Sequence, residues 1–391
     1  MKYAHIVIGA GYGDEGKGLT TDYLSGQHLD DAPIVIRYNG GAQAGHTVVT
    51  DNRRHVFSHI GSGVFNHVPT FLSEDFITNP ILFNKEYDKL RDFRPLVYVD
   101  PKCRVTTPYD MMLNQIIENN RSQRHGSCGV GIYETILRSQ SIPLSIRQLA
   151  KITPEQFNDL MYDIKEYTLN RLNNLNIELS NSDLEFFIDQ NVVDQYIIDV
   201  RTFIGTIIIT NGILDQMSPF IFEGAQGLLL SERHGQAPHL TPSDPGILTP
   251  IKICENYHIS QANAIYVTRT YTTRHGAGPL ANEKTAFGLG LNITNETNIP
   301  NHYQGNFRYA TLAIDAISSA INLDFERSLD FDINVTKQLM ITCVDQLPTY
   351  NGELSIDNRM YLNYIMRQLM INNGFYSVGP TNNDVYKLEN F

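Results

Sequence analysis

Six short apolar runs punctuate the chain, at positions 5–8, 33–38, 219–222, 264–268, 338–345 and 375–378. They are rich in Ile, Val and Phe, too short for helices, and mostly continuous rather than alternating. That pattern predicts strands buried on both faces, as in a parallel sheet. Between them lie stretches of helical period: 19–24, 109–120 with Met111, Met112, Ile116 and Ile117 on one face, 133–138, 154 to about 204, 308–321 and 360–371. Thr153-Pro154-Glu155-Gln156 is a strong helix start, with a capping Thr, Pro in the first turn and Gln three residues on. Strands alternating with helices predict an α/β fold: a central, mainly parallel sheet with glycine loops at its edge and helical insertions. The glycine loops resume after the middle third. A single domain over 1–391, with a helical lobe at about 108–205, is therefore expected.

The segment after each strand is polar and rich in glycine, which places one site along the C-terminal edge of the sheet. The densest loop comes first. Positions 9–18, Gly-Ala-Gly-Tyr-Gly-Asp-Glu-Gly-Lys-Gly, hold five glycines, Lys17 and two carboxylates between a strand and a helix. Glycines let backbone N–H groups approach an anion, and the helix beyond offers its positive end. Gly11, Gly16 and Lys17 match the phosphate-loop pattern, but Gly18 stands where Ser or Thr would hold Mg²⁺. Asp14 is the candidate to hold the metal instead. The plain alternatives are a glycine-rich turn with no ligand, and Asp14 as a capping carboxylate.

Composition narrows the partners. The 391 residues are 42% hydrophobic and 18% charged, with a formal charge of −12, which argues against a nucleic-acid-binding surface. Cys103, Cys128, Cys254 and Cys343 are scattered without a C-x-x-C pair, so neither a zinc site nor a disulfide framework is expected. No apolar run reaches the ~18 residues of a membrane span, and positions 1–4 have no signal-peptide character. A cytoplasmic protein is expected.

The motifs occur in a telling order: G-D-E-G-K-G at 13–18, G-G-A-Q-A-G-H-T at 40–47, F-E-G-A-Q-G at 222–227, T-R-H-G-A-G-P at 273–279 and G-P at 379–380. Together they resemble the adenylosuccinate synthetase family over nearly the whole chain. The resemblance implies a GTP-dependent ligase that joins aspartate to the 6-position of IMP or dIMP through a 6-phosphoryl intermediate, with Mg²⁺ and with ATP as the alternative donor. Asp14 matches the base that removes the purine N1 proton, and His46 the acid toward the γ-phosphate. Lys17, Gly13, Glu15, Gly16, Gly18 and Thr47 match the phosphate cradle, and Asp14 and the Gly45 carbonyl the metal ligands. Gln226 matches an amide that both donates to and accepts from the purine, with a simple tie between loops as its alternative.

By the same resemblance Gln43, Ser127, Cys128 and Thr241 hold the substrate nucleotide. Cys128 stands where relatives carry threonine. Arg138 matches an arginine sent into a neighbouring subunit's site, which would make a homodimer; a solvated helix arginine is the alternative. Asp345, in Thr342-Cys343-Val344-Asp345, matches the acid that reads guanine, with Ser377, Gly379 and Pro380 opposite. Cys343 replaces the usual lysine there. The arginine-rich run that grips the amino acid is reduced, over 298–308, to Arg308, with Arg274 as a second cation. Two rival functions are a synthetase acting on GMP or dGMP, suggested by the ending near 379–385, and a non-catalytic purine nucleotide sensor. Retention of Asp14 speaks against the first, and of Asp14 with His46 against the second.

Overall fold

The computed structural model describes residues 2–122, 127–293 and 305–388. Ten strands form the central sheet: β1 (Ala4–Gly9), β2 (Ile34–Arg37), β3 (Thr70–Leu72), β4 (Val97–Val99), β5 (Ile208–Ile209), β6 (Phe220–Gly227), β7 (Gln261–Arg269), β8 (Asn334–Thr342), β9 (Gly374–Ser377) and β10 (Val385–Leu388). Their spatial order is β10-β9-β8-β7-β1-β6-β2-β3-β4-β5. Every neighbouring pair is parallel except β9 with β10. β1 thus lies between the strands that end at Gly227 and Arg269, and its loop opens at the centre of the sheet edge.

The apolar runs are continuous because both faces are covered. Ile6, Ile8, Ile36, Phe222, Tyr266 and Ile341 point to one side, against Ile317 and Ile321 of the helix Ile314–Glu326 and Leu362 and Ile365 of the helix Ile356–Leu369. Val7, Val35, Ile221, Ile265 and Met340 point to the other, against Leu19 and Leu24 of α1 (Lys17–Gln27). Burying a Val, Leu or Ile side chain contributes roughly 1.5–3 kcal/mol, so this double cover anchors the loops. The middle third shares a further core with the sheet margin: Phe157, Ile164, Tyr196 and Phe203 pack with Leu72, Val97 and Val99. Among the described residues no helix is long and apolar enough to cross a membrane.

Three expectations are corrected. The strand expected at 219–222 continues through Gly227, because the Asn39 side-chain amide takes over where β2 ends. Asn39 Oδ1 accepts from Ala225 N at 2.8 Å, and its Nδ2 donates to Ala225 O at 3.2 Å. The helix expected at 308–321 begins only at Ile314. Residues Phe307–Ala310 form a strand antiparallel to Thr272–His275, where Phe307 packs edge-on against His275 and Tyr309. Tertiary pairing outweighs local period there. Between 154 and about 204 the single helical stretch is three helices, Pro154–Asn174, Asn181–Ile188 and Gln190–Thr206, each with a side-chain cap.

Candidate functional site: a cleft at the C-terminal edge of the sheet

A cleft of about 1000 Å³ runs along the strand ends. Asp14, Lys17, Gln43, Gly45, His46, Thr47, Ser127, Cys128, Gln226, Thr241, Arg274, Asp345, Ser377, Gly379 and Pro380 all line it, drawn from opposite ends of the sequence. Arg138 and Arg308 do not.

The first loop is organised from within by Glu15. Its Oε1 accepts from Gly11 N at 3.0 Å and Gly13 N at 2.7 Å, and its Oε2 takes Lys17 Nζ at 2.8 Å, all buried. Those two amides are committed, which leaves the first-turn N–H groups of α1 as the loop's uncommitted backbone donors. Thr342 Oγ1 donates to Glu15 O at 2.7 Å and ties the loop to β8. Gly16, at φ 102°, lies against the same threonine: a Cβ there would approach Thr342 Cγ2 to 2.8 Å. The glycine at position 18 also has a packing reason. An added Cβ would meet Thr47 O at 3.0 Å and His46 Cβ at 3.1 Å, because the hairpin of His46–Val49 and Arg54–Phe57 lies on the start of α1.

Asp14 adopts a left-handed φ of 60°, unusual for a residue with a Cβ, and Arg269 Nε holds its carbonyl at 2.7 Å. The carboxylate itself receives no hydrogen bond from the described residues and faces the cleft. Burial raises its pKa, partly offset by Arg269 and Lys17. A carboxylate held this way is suited to taking a proton.

His46 gives its Nδ1 to Glu223 Oε1 at 2.6 Å. Glu223 is fully buried, accepts from Ser62 N at 3.0 Å and from Ser62 Oγ, and lies 3.8 Å from Arg37 Nη1. With Nδ1 held, Nε2 is the ring nitrogen left for a ligand. Burial lowers the His46 pKa to about 4 despite Glu223, so the ring is a neutral imidazole at pH 7. Glu223 sat inside the F-E-G-A-Q-G motif without being singled out; a charged residue in an otherwise apolar strand was the signal available.

Between Glu223 and Gly227 the register with β1 shifts, and this irregularity turns Gln226 outward at φ 65°. Its Oε1 accepts from Thr241 Oγ1 and Ser243 Oγ, both at 2.9 Å. Two expectations change accordingly. The Gln226 carbonyl is engaged by two hydroxyls rather than free, and the Thr241 hydroxyl is engaged by Gln226 rather than free for a 5′-phosphate. Ser127 likewise donates to Asn114 Oδ1 at 2.9 Å, and Asn114 is a cleft residue the sequence did not reveal. Gln43 Oε1 and Ser377 Oγ are buried without a partner among the described residues, and both residues line the cleft.

Arg138 is corrected outright. It is fully buried, with Nε and Nη2 on Asp110 at 2.9 and 3.1 Å and donors on Val105 O and Ile142 O, both at 2.7 Å. Every donor group is used inside its own subunit, so it reaches neither solvent nor a neighbour's site. Arg308 is similarly committed, to Glu283 and to the carbonyls of Gly276 and Gly278 at 2.9 and 2.7 Å. It braces the loop after Thr272–His275 instead of lining the cleft. Arg274 bonds Ala277 O and Pro279 O and stacks over Tyr12 at 4.5 Å, yet still lines the cleft. Of the reduced arginine run, 298–304 lie outside the described residues. Asp345 lies in the short turn Val344–Gln346 behind Cys343, at φ 61°, with its pKa raised by burial.

A family model described as adenylosuccinate synthetase matches residues 6–299. The adenylosuccinate synthetase of Nostoc punctiforme is 30% identical over 290 residues, 71% of this chain and 62% of the relative. That of Thermomicrobium roseum is 31% identical over 301 residues, 72% of this chain and 65% of the relative. The matches thus span a little under two thirds of these relatives' length. Among solved structures, the fully ligated adenylosuccinate synthetase of Plasmodium falciparum superposes with a TM-score of 0.72 at 18% identity, covering 99% of this chain and 100% of that one. The succinoaminodeoxyadenylate synthetase of cyanophage S-2L, bound to dGMP and dATP as an energy donor, gives 0.68 at 16% identity, covering 99% and 95%. At these identities the two structures speak to the fold, which is shared end to end. By the match over 6–299, the chain belongs to the adenylosuccinate synthetase family.

Proposed function

We propose that the protein is a ligase that spends a nucleoside triphosphate, GTP by preference, to join an amino acid to carbon 6 of IMP or dIMP. Aspartate is the amino acid the family implies. One observation carries the reading: Asp14, Lys17, His46 and Gln226 converge on one cleft, where the Asp14 carboxylate receives no side-chain or backbone hydrogen bond from the described residues. A binding protein has no need of an unpaired base beside a phosphate loop.

Asp14 takes the N1 proton, so the purine O6 becomes the nucleophile toward the γ-phosphate. The amides of α1 and Lys17 balance charge on the transferring group. Lys17, released from Glu15 by an entering phosphate, has only a short distance to move. His46, its Nδ1–H held by Glu223, takes a proton from solvent at Nε2 once the anionic triphosphate lies beside it, and the imidazolium then donates from Nε2 as charge builds on the phosphoryl oxygens. The amine then displaces phosphate from carbon 6. Asp14 and the exposed Gly45 carbonyl would hold Mg²⁺, and no cluster of three or more metal-ligating side chains exists among the described residues. That donor set fits an ion held mainly by phosphate oxygens and water. Mg²⁺ would supply charge neutralisation on the triphosphate.

Asp345 and Ser377 support guanine as the donor base. A homodimer in the cytoplasm is proposed on the family resemblance, no longer on Arg138. The test measures phosphate release from GTP or ATP with IMP, dIMP, GMP or dGMP, with and without a panel of amino acids, and identifies the product by mass spectrometry. GTP- and IMP-dependent release that requires an amino acid is expected. Absence of turnover under every combination refutes the ligase, and full turnover by Asp14→Asn refutes the base.

A further inference from the structure

Within positions 9–18, Asp14 is the one residue with a side chain that takes a positive φ; the others in that conformation are Gly13 and Gly16, at φ 95° and 102°. A Cβ crowds the following carbonyl there, so such a residue relaxes unless its surroundings hold it. The hold on Asp14 comes from outside the loop. β7 ends at Arg269 and β8 at Thr342, and these two residues are register partners across the parallel pair. Arg269 Nε donates to Asp14 O at 2.7 Å, and Thr342 Oγ1 donates to Glu15 O at 2.7 Å. Two neighbouring strand ends thus grip two consecutive carbonyls.

Arg269 is itself held rigidly. It is buried, its Nη1 donates to the Tyr271 hydroxyl at 2.8 Å, and that hydroxyl donates to Gln346 Oε1. Its Cζ lies 5.2 Å from the centre of the Phe307 ring and 5.6 Å from that of Tyr271, within the range of cation–π attraction. Phe307 reaches this position because Phe307–Ala310 is the strand that pairs with Thr272–His275. Gln346 belongs to the short turn that carries Asp345. The guanidinium therefore spans from the first loop to the turn at the far side of the cleft, and both ends of its fork are engaged.

We propose that Arg269 is a positioning residue for the reaction: by holding the Asp14 carbonyl it keeps residue 14 left-handed and its carboxylate turned into the cleft. The direction of the Cα–Cβ bond is set by the backbone, so a residue 14 that relaxes toward negative φ swings its carboxylate away from a purine bound beside it. What Arg269 contributes is the Nε–H donated to one carbonyl, over and above its charge. Arg269 lies outside every glycine motif of the sequence, and only the pairing of β7 with β1 and β8 brings it to the first loop. The inference rests on the proposal that Asp14 is the base of a ligase.

Two variants of the full chain test it, by steady-state kinetics and by amide hydrogen exchange. Arg269→Met removes the donor. Arg269→Gln keeps one, because its Nε2 stands as many bonds from the backbone as the arginine Nε and donates to Asp14 O without a charge. Arg269→Met is expected to lower kcat about 100-fold with KM for IMP and GTP within about threefold, since a misdirected base slows the reaction more than it weakens binding. Arg269→Gln should recover at least about tenfold of that loss, short of wild type because the charge is gone. In the ligand-free proteins the amides of 11–16 should exchange about tenfold faster in Arg269→Met, with Arg269→Gln between it and wild type. A kcat for Arg269→Met within about threefold of wild type overturns the proposal. So does Arg269→Gln no faster than Arg269→Met, which would leave charge as the whole contribution, or a raised KM at constant kcat, which would place Arg269 on a ligand. If the wild type shows no turnover, the ligase reading falls instead, and equal exchange rates in the three proteins still overturn the hold on the loop.

Discussion

Glu223→Ala tests the buried charges behind His46. In the native protein the carboxylate collects His46 Nδ1, Ser62 N and Ser62 Oγ, and it is the nearest counter-charge to Arg37. Arg37 is fully buried, and none of its guanidinium nitrogens has a hydrogen-bond partner among the described residues; its Cζ lies 5.5 Å from the centre of the Phe76 ring. Removing Glu223 leaves that charge without compensation in the interior, which costs ~3–5 kcal/mol when one member of a buried pair is deleted. Glu223→Gln keeps the shape and one acceptor but turns an N–H group toward Ser62 or Arg37, for about 2 kcal/mol. Urea unfolding monitored by circular dichroism at pH 7 reads both losses. The pH dependence adds a signature. The Glu223 pKa is lowered to about 2 by His46 and Arg37 against its burial. A carboxylate depressed in the folded state stabilises above its unfolded pKa, and that stability is lost as pH falls through the folded value. The gap between wild type and Glu223→Gln should therefore be full above about pH 4.5 and close as pH falls toward 2. A loss below about 1 kcal/mol for Glu223→Ala, or a gap that stays constant in acid, would overturn this account of the buried charges.

The geometry carries three further outcomes. Arg138→Met should lower stability by about 2–4 kcal/mol, with nucleotide affinity changed less than about twofold; affinity lost at unchanged stability would return Arg138 to the ligand site. Gly18→Ser restores the phosphate-loop consensus yet should slow turnover, because its Cβ presses on the His46–Thr47 backbone, and a faster enzyme would disprove that packing. Chelation of divalent ions should abolish nucleotide-dependent turnover while leaving the melting temperature of the ligand-free protein unchanged, since no protein-only metal cluster exists among the described residues; a lowered melting temperature would reveal a structural metal.

Within the fold, strand content was readable because strands buried on both faces must be apolar throughout. Residues 5–8 and 264–268 needed no long-range information to be assigned, and the capping box at Thr153 was equally local. The helix expected at 308–321 was right from Ile314 and failed at its start, where residues Phe307–Ala310 are decided by pairing with Thr272–His275. Charged residues show the same division. Arg138, Arg308 and Glu223 are ordinary letters in the sequence, and their roles depend on which donors and acceptors lie within 3 Å of them after folding.

Residue order alone sufficed for the α/β architecture and the family. It also singled out the glycine loops, Asp14, Lys17, His46 and Gln226, which the fold brings to one cleft. Glycine spacing and apolar runs are local constraints, so they survive in one dimension. The commitments of those side chains came only with the folded chain: Glu15 inside its own loop, His46 held by Glu223, and Gln226 with its carbonyl closed by Thr241 and Ser243. A hydrogen bond joins atoms far apart in the chain and depends on distances of a few tenths of an ångström, which residue order does not encode. The opening loop is the densest in glycine and charge, and partners more than two hundred residues away hold its backbone in place.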